Sequence, residues 1–125
     1  MRHPRFEFVR LKYLRACGYC GVTETSAGSE LTIDHYQPHA SGGTEADDNL
    51  VYACTKCNQY KHNFWPTAQQ LAQGLRILHP LNDDISIHIS ANDEAGYLVA
   101  LTPTGMFHIN LLHLNRPQLV ELSIV

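Results

Sequence analysis

The chain has 125 residues, 44% hydrophobic and 17% charged, with a formal charge of −3 from 9 Lys plus Arg and 12 Asp plus Glu. That length is enough to bury roughly two-thirds of the unfolded surface without disulfides, and the composition excludes wholesale disorder. It also excludes a uniformly basic nucleic-acid coat, because neutralising phosphates needs clustered cations. No apolar run approaches the roughly 18 residues of a membrane span, and the opening Met1-Arg2-His3-Pro4-Arg5-Phe6-Glu7-Phe8 lacks the apolar stretch of a secretory signal. The expectation is a soluble, cytoplasmic protein of one compact domain, or one domain with an appendage.

The predicted elements, in chain order, begin with a helix over residues 5–16 carrying Phe6, Phe8, Val9, Leu11 and Leu14. A loop covers Thr23 to Glu30. Leu31-Thr32-Ile33-Asp34-His35 alternates like a half-buried strand. His39 to Asn49 is a loop containing Ser41-Gly42-Gly43, Leu50 to Ala53 is a second strand, and a helix follows from Thr55 to about Asn63. Beyond Phe64-Trp65-Pro66, a helix from Thr67 to Leu78 places Leu71, Leu75 and Leu78 on one face. Ile85, Ile87 and Ile89 alternate with polar residues, then Gly96 precedes Tyr97 to Leu101, which suggests a hairpin. Thr104 is placed to cap a helix running to Leu114, and Pro117 to open a last one.

Four cysteines occur as two C-x2-C pairs, Cys17/Cys20 and Cys54/Cys57. In a reducing compartment that spacing favours one tetrahedral Zn²⁺ over disulfides, and a thioredoxin-like redox pair needs a βαβ context that is missing. Cys17-Gly18-Tyr19-Cys20-Gly21 suits a knuckle, whereas Cys54 sits at a helix start. Zinc would then clamp a strand end bearing Asp34 and His35 against a helix bearing Asn58 and His62, which share a face at i and i+4. Adjacent residues of an ideal strand point to opposite faces, so Asp34 and His35 serve one site only if the chain bends there. The resulting ββα unit offers oxygen-rich donors suited to a second divalent cation.

Charge is uneven. Residues 1–62 carry seven cations and seven acids, residues 63–125 two and five, and the first fifteen residues hold five cations against Glu7. A basic N-terminal arm is a candidate phosphate-contacting surface. His3, His39, His79, His88, His108 and His113 are expected to be ordinary surface or capping histidines. Tyr60 and Trp65 are expected to anchor the core beneath the zinc module, the alternative being that they stack on bases.

Asp34-His35-Tyr36-Gln37-Pro38, Gly42-Gly43, Asn49-Leu50 and Cys54-Thr55-Lys56-Cys57-Asn58-Gln59-Tyr60-Lys61 together resemble the HNH endonuclease motif of the ββα-metal superfamily. The likeness is to its zinc-clamped subgroup and covers about residues 17–62. It implies an α+β fold with a ββα-metal (treble-clef, His-Me finger) core and a four-cysteine zinc site, to which the elements predicted beyond residue 65 add a C-terminal helix–hairpin–helix extension. The nuclease domain would span 1–65, and the extension, 66–125, would pack on it. It further implies that His35 is the general base and that Asp34 and Asn58 hold a catalytic Mg²⁺ or other divalent cation, joined in some members by a histidine at the His62 position. Asn49 would order the loop and hold the catalytic histidine, while Lys56 and Lys61 are candidates for phosphate contacts on double-stranded DNA or on RNA. An imidazole with an unperturbed pKa of about 6.5 suits proton removal near neutrality. The competing expectation is a non-catalytic zinc-binding treble-clef module for nucleic acid or protein. Such a module has no need of the Asp34/His35/Asn58 set.

Overall fold

A computed structural model describes residues 2–92 and 94–123, with the side chains of 122 and 123 left aside. The chain divides into two compact units, Met1–Trp65 and Pro66–Val125. No helix among the described residues is long and apolar enough to cross a membrane.

In the first unit, Phe6, Val9 and Tyr13 recur at helical spacing and are buried, so α1 (Phe6–Lys12) lays one face on the sheet, with the Phe6 ring edge-on to Tyr52 at 5.8 Å. The helix stops four residues before the expected end. Leu14 and Arg15 both take positive φ, 56° and 58°, which turns the chain back so that Ala16 bridges Thr23 and Cys17 N–H donates to Val22 O at 2.8 Å. The expected loop 23–30 contains a single helical turn, α2 (Glu24–Ala27), capped by Thr23 Oγ1 accepting from Ser26 N–H.

β1 (Thr32–His35) and β2 (Leu50–Ala53) pair antiparallel, with Thr32 opposite Ala53 and His35 opposite Leu50. All four residues of β2 are buried, whereas in β1 it is Asp34 that turns inward. Between the strands lie 3₁₀ turns at His39–Ser41 and Asp47–Asn49. Gly43 is required here: a Cβ would stand 1.7 Å from Gln37 O. The helix α3 (Thr55–Lys61) follows β2 directly. Cys54 is its N-cap, accepting the Cys57 N–H on Sγ at 3.4 Å, and it ends at His62, whose φ of 48° leaves the helical region.

The second unit departs further from expectation. Thr67 and Gln70 form a capping box for α4 (Ala68–Ala72), which is far shorter than the expected 67–78 helix. It is broken at Gly74, whose φ of 76° is left-handed and whose missing side chain admits Thr104 Oγ1. Leu71 is exposed whereas Leu78 is buried, so the expected leucine stripe is not one face. Ile85, Ile87 and Ile89 do not form one strand. Asp84 accepts from Ser86 N–H and caps α5 (Ile85–His88), and only then does β3 (Ile89–Asn92) pair antiparallel with β4 (Tyr97–Ala100). Thr102, not Thr104, caps α6 (Pro103–Leu111), accepting from Gly105 N–H at 3.0 Å with Pro103 at the first helical position. Thr104 instead donates to Gly74 O. The last helix is α7 (Pro117–Ser123).

Candidate functional site

The knuckle after α1 and the start of α3 bring Cys17, Cys20, Cys54 and Cys57 together, their sulfurs all within 4.8 Å of one another. The Cys20–Cys54 sulfur separation of 3.7 Å is close to the edge, about 3.8 Å, of a tetrahedron with Zn–S bonds of about 2.3 Å. Cys20 N–H and Cys57 N–H each point at the first sulfur of their own pair at 3.4 Å, a donation that favours thiolates. Hydrogen bonding between the thiols holds Cys17 down, at about 7, through Cys20, and Cys54 below its ordinary value through Cys17. The same sharing, through Cys17, raises Cys20 and Cys57. Four thiols this close cannot all ionise without a cation, and this donor set fits Zn²⁺.

Beside this clamp lies an open cavity of about 420 Å³ whose lining includes Asp34, His35, His39, Asn58 and His62. The strand end and the first helical turns after the zinc cysteines therefore do meet. The chain leaves β1 at His35 and turns at once, with Tyr36 N–H donating to Asn49 O at 2.9 Å. This is the bend that lets neighbouring strand residues face one space.

Asp34 is buried, and Tyr19 O–H donates to its Oδ2 at 2.8 Å. The Lys61 ammonium sits 3.1 Å from the same oxygen and donates to His35 O at 2.8 Å. Burial pushes the Asp34 carboxyl up and the Lys61 ammonium down, each opposed by the charge of its partner. Lys61 is thus an internal cation with no exposure to offer a phosphate, which corrects the expectation of a phosphate contact there; Lys56 is exposed on α3. Asn58 donates its Nδ2–H to Thr32 Oγ1 at 3.2 Å, leaving its carbonyl oxygen as the donor atom available to a cation. His62 is exposed at the end of α3.

Asn49 acts on backbone. Its Oδ1 accepts from Gln37 N–H at 2.8 Å, and its Nδ2 donates to Gln37 O at 3.0 Å and Thr44 O at 2.8 Å. It orders the loop that follows His35 through these bonds.

Three groups that the sequence did not mark as part of the site, Glu45, His39 and His3, surround His35. Its Nε2 lies 2.7 Å from Glu45 Oε2, His39 Nε2 reaches the same oxygen, and His3 Nε2 is 2.6 Å from Glu45 Oε1. His39 also lies against His35, with ring centroids 4.5 Å apart. His3 and His39 are therefore not idle surface histidines. Hydrogen bonding from His3, the largest influence, and from His35 holds the Glu45 carboxyl at about 2. His108 departs from expectation as well: it is a buried core residue of the second unit, its Nδ1 accepting Leu78 N–H at 2.9 Å.

The basic arm is largely spent inside the molecule. Arg5 forks onto Asp47 at 2.9 Å through Nε and a terminal nitrogen, Arg10 onto Glu24 at 2.6 and 2.8 Å, and Arg2 reaches Glu7 and Glu30. Among the described residues of the first unit, Lys12, Arg15 and Lys56 stand outside any salt bridge. Trp65 and Tyr36 meet edge to face at 5.6 Å, so Trp65 has an aromatic partner within its own unit.

Comparison with known proteins bears on this arrangement. The HNH endonuclease family model matches residues 17–64. The chain is similar to the Septu protein PtuA of Bacillus mycoides (strain KBAB4), 26% identical over 142 aligned positions, spanning 93% of this chain and 20% of that protein. It is also similar to the CRISPR-associated endonuclease Cas9 of Corynebacterium diphtheriae, 46% identical over 48 residues that cover 38% of this chain and 4% of Cas9. The chain thus spans only about a fifth or less of these relatives. No solved structure matches. The segment that matches the HNH endonuclease family, Cys17 to Phe64, holds both cysteine pairs and the Asp34–His35 strand end.

Proposed function

We propose that this protein is a metal-dependent endonuclease that hydrolyses phosphodiester bonds in DNA. The observation that carries the reading is the convergence of Asp34, His35, Asn58 and His62 on one open cavity beside a four-cysteine clamp. The roles follow from the chemistry of each group. With His35 Nε2–H donating to Glu45, the ring's free lone pair is on Nδ1. That nitrogen removes a proton from water while the water oxygen attacks phosphorus, the bond from phosphorus to the 3′-oxygen breaks, and the leaving oxygen takes a proton from solvent. His35 then returns its proton to solvent.

Asp34 and Asn58 offer a carboxylate and a carbonyl oxygen, with His62 beside them, a set that fits Mg²⁺ or another divalent cation while leaving open positions. Such a cation, when bound, supplies positive charge against the phosphate oxygens and the departing 3′-oxygen. Lys61 keeps Asp34 ionised in its buried position, Asn49 fixes the loop from which His35 emerges, and Lys56 contributes charge toward the DNA backbone. Zn²⁺ in the cysteine set is structural.

One observation favours a second reading. The Lys61 ammonium already neutralises Asp34, as in a zinc-built binding module with no catalytic cation. Nicking of supercoiled plasmid by the purified chain with Mg²⁺, Mn²⁺ or Ni²⁺, against EDTA controls, separates the two. The expected result is metal-dependent nicking that falls by about 100-fold or more in His35→Ala, with zinc content and fold retained. Equal nicking by both proteins removes His35 as the base, and no nicking with any of these metals favours the binding module.

A further inference from the structure

Three imidazoles and one carboxylate come together from four separate places in the chain: His3 ahead of α1, His35 at the end of β1, His39 in the first 3₁₀ turn, and Glu45 in the loop before β2. The donors can be assigned. Arg5 N–H donates to His3 Nδ1 at 3.0 Å, so the His3 proton is on Nε2 and is donated to Glu45 Oε1 at 2.6 Å. The carboxylate is thereby fixed at one oxygen, and the other, Oε2, is presented to His35 Nε2 at 2.7 Å.

The loop carrying Glu45 is tied to the same N-terminal segment a second time. The guanidinium of Arg5 forks onto Asp47 with two bonds of 2.9 Å. From the opposite side Asn49 holds Gln37 and Thr44. Pair stability alone does not account for a half-exposed glutamate that gathers three imidazoles, since isolated exposed pairs are worth little.

The geometry points to Glu45 as a positioning residue for His35, with His3 as the brace that holds Glu45 in place. The inference rests on the reading of His35 as the base. Accepting the Nε2–H selects the tautomer whose Nδ1 lone pair is free, fixes the ring plane, and stabilises the imidazolium formed when Nδ1 takes the water proton. This is the logic by which a carboxylate orients a catalytic histidine in hydrolases. The N-terminal segment, which its charge alone marks as a surface for phosphates, becomes a strut of the catalytic loop. Three of these groups, His3, His35 and Glu45, offer a mixed nitrogen and oxygen set that a transition metal could occupy. The His3 tautomer argues against it, because Nε2 ligation would put the proton on Nδ1 and break the bond from Arg5 N–H.

The test uses the full zinc-loaded chain as wild type, Glu45→Ala, Glu45→Gln and His3→Ala. Long-range ¹⁵N–¹H correlation NMR reads the His35 tautomer independently of any cleavage, and plasmid nicking gives kcat and KM. Expected is the Nε2–H tautomer in wild type and a tautomer mixture in Glu45→Ala, with kcat down by about 10- to 100-fold and KM changed by less than about twofold. Glu45→Gln, which keeps an acceptor oxygen, recovers part of kcat, and His3→Ala loses less than Glu45→Ala. An unchanged tautomer in Glu45→Ala overturns the proposal, as does an unchanged kcat in that variant while His35→Ala abolishes nicking. So does a second zinc ion per wild-type chain that is lost in Glu45→Ala. If His35→Ala itself leaves nicking intact, the base assignment fails while the tautomer experiment still decides the contact.

Discussion

Replacing Lys61 by Met removes a buried charge while keeping most of its volume, and the structure sets the size of the effect. The ammonium stands 3.1 Å from Asp34 Oδ2 with side-chain exposures of 0% and 7%. A unit pair at that distance, in an effective dielectric of about 20, attracts by about 5 kcal/mol. Desolvation opposes this on both partners, as the upward push on Asp34 and the downward push on Lys61 record. The intact pair is therefore worth little net, whereas breaking it strands a carboxylate whose remaining direct partner is the Tyr19 hydroxyl. The expected loss for Lys61→Met is about 3–5 kcal/mol at pH 7, a large share of the roughly 5–15 kcal/mol that stabilises a domain. Asp34→Asn with Lys61→Met should recover most of it, giving a coupling of about 2–4 kcal/mol in the double-mutant cycle. Urea unfolding of the zinc-loaded chain, followed by Trp65 fluorescence, reports on the unit that contains the pair. The sign with pH is a further check. In Lys61→Met the stranded carboxyl titrates above its unfolded value, so the folded form binds the extra proton and the deficit against wild type shrinks as pH falls. A single-mutant loss below about 1 kcal/mol, or additive single and double mutants, refutes the reasoning.

Two other outcomes follow from the same structure. The zinc-loaded chain should hold one Zn²⁺ by elemental analysis, and Cys54→Ser should lose both the metal and the cooperative melting of residues 1–65. This follows because the binding free energy, about 10–16 kcal/mol in small structural sites, is also folding free energy; zinc loss with an unchanged melting curve counts against the clamp. In the second unit, burial holds His108 at about 4 with its Nδ1 committed to Leu78 N–H. The unfolded imidazole binds the proton first, so stability is complete above about pH 6.5 and falls toward pH 4, by at most about 3 kcal/mol. Urea midpoints across that range should flatten in His108→Gln, and a wild-type midpoint that does not fall on acidification contradicts the assignment.

What the sequence could reveal depended on how local the determining contacts were. Cys17/Cys20, Cys54/Cys57, the Asp34-His35 strand end and Asn58 one residue after a zinc cysteine are short-range patterns, each fixed by the geometry of one turn. The β1–β2 pairing was legible for the same reason, since two short strands flank a loop rich in turn residues. The partners of Glu45 come from residues 3, 35 and 39, and no spacing rule links them. Lys61 reads as a surface cation, because lysines seldom enter a core unpaired and its acid lies 27 positions earlier. In residues 66–125 local signals competed. The alternation of Ile85, Ile87 and Ile89 suggested a strand, but Asp84 supplied a cap and the first two joined a helical turn. Thr102 and Thr104 are equally good cap residues in isolation; Thr102 wins because Pro103 suits the first helical position, and Thr104 finds Gly74 O instead.

The two sides of the cavity are held by different forces, and this bears on how the site works. Asn58, Lys61 and His62 ride on α3, whose N-cap is the sulfur of Cys54, so the metal clamp and the helix start are one object. That side moves only if the zinc site opens. His35 emerges into a loop held by backbone bonds from Asn49, by Arg5 on Asp47 and by His3 on Glu45. Each of those contributes about one hydrogen bond's worth, on the order of 1 kcal/mol, and several are partly open to solvent. Disturbing the clamp should therefore unfold the site, whereas disturbing the loop should leave a folded chain whose imidazole is less well aimed. In the proposed mechanism the base must be set to within about half an ångström, and so is sensitive to losses too small to register as stability. Single changes in the loop consequently belong in a rate measurement, and changes among the cysteines in a melting curve.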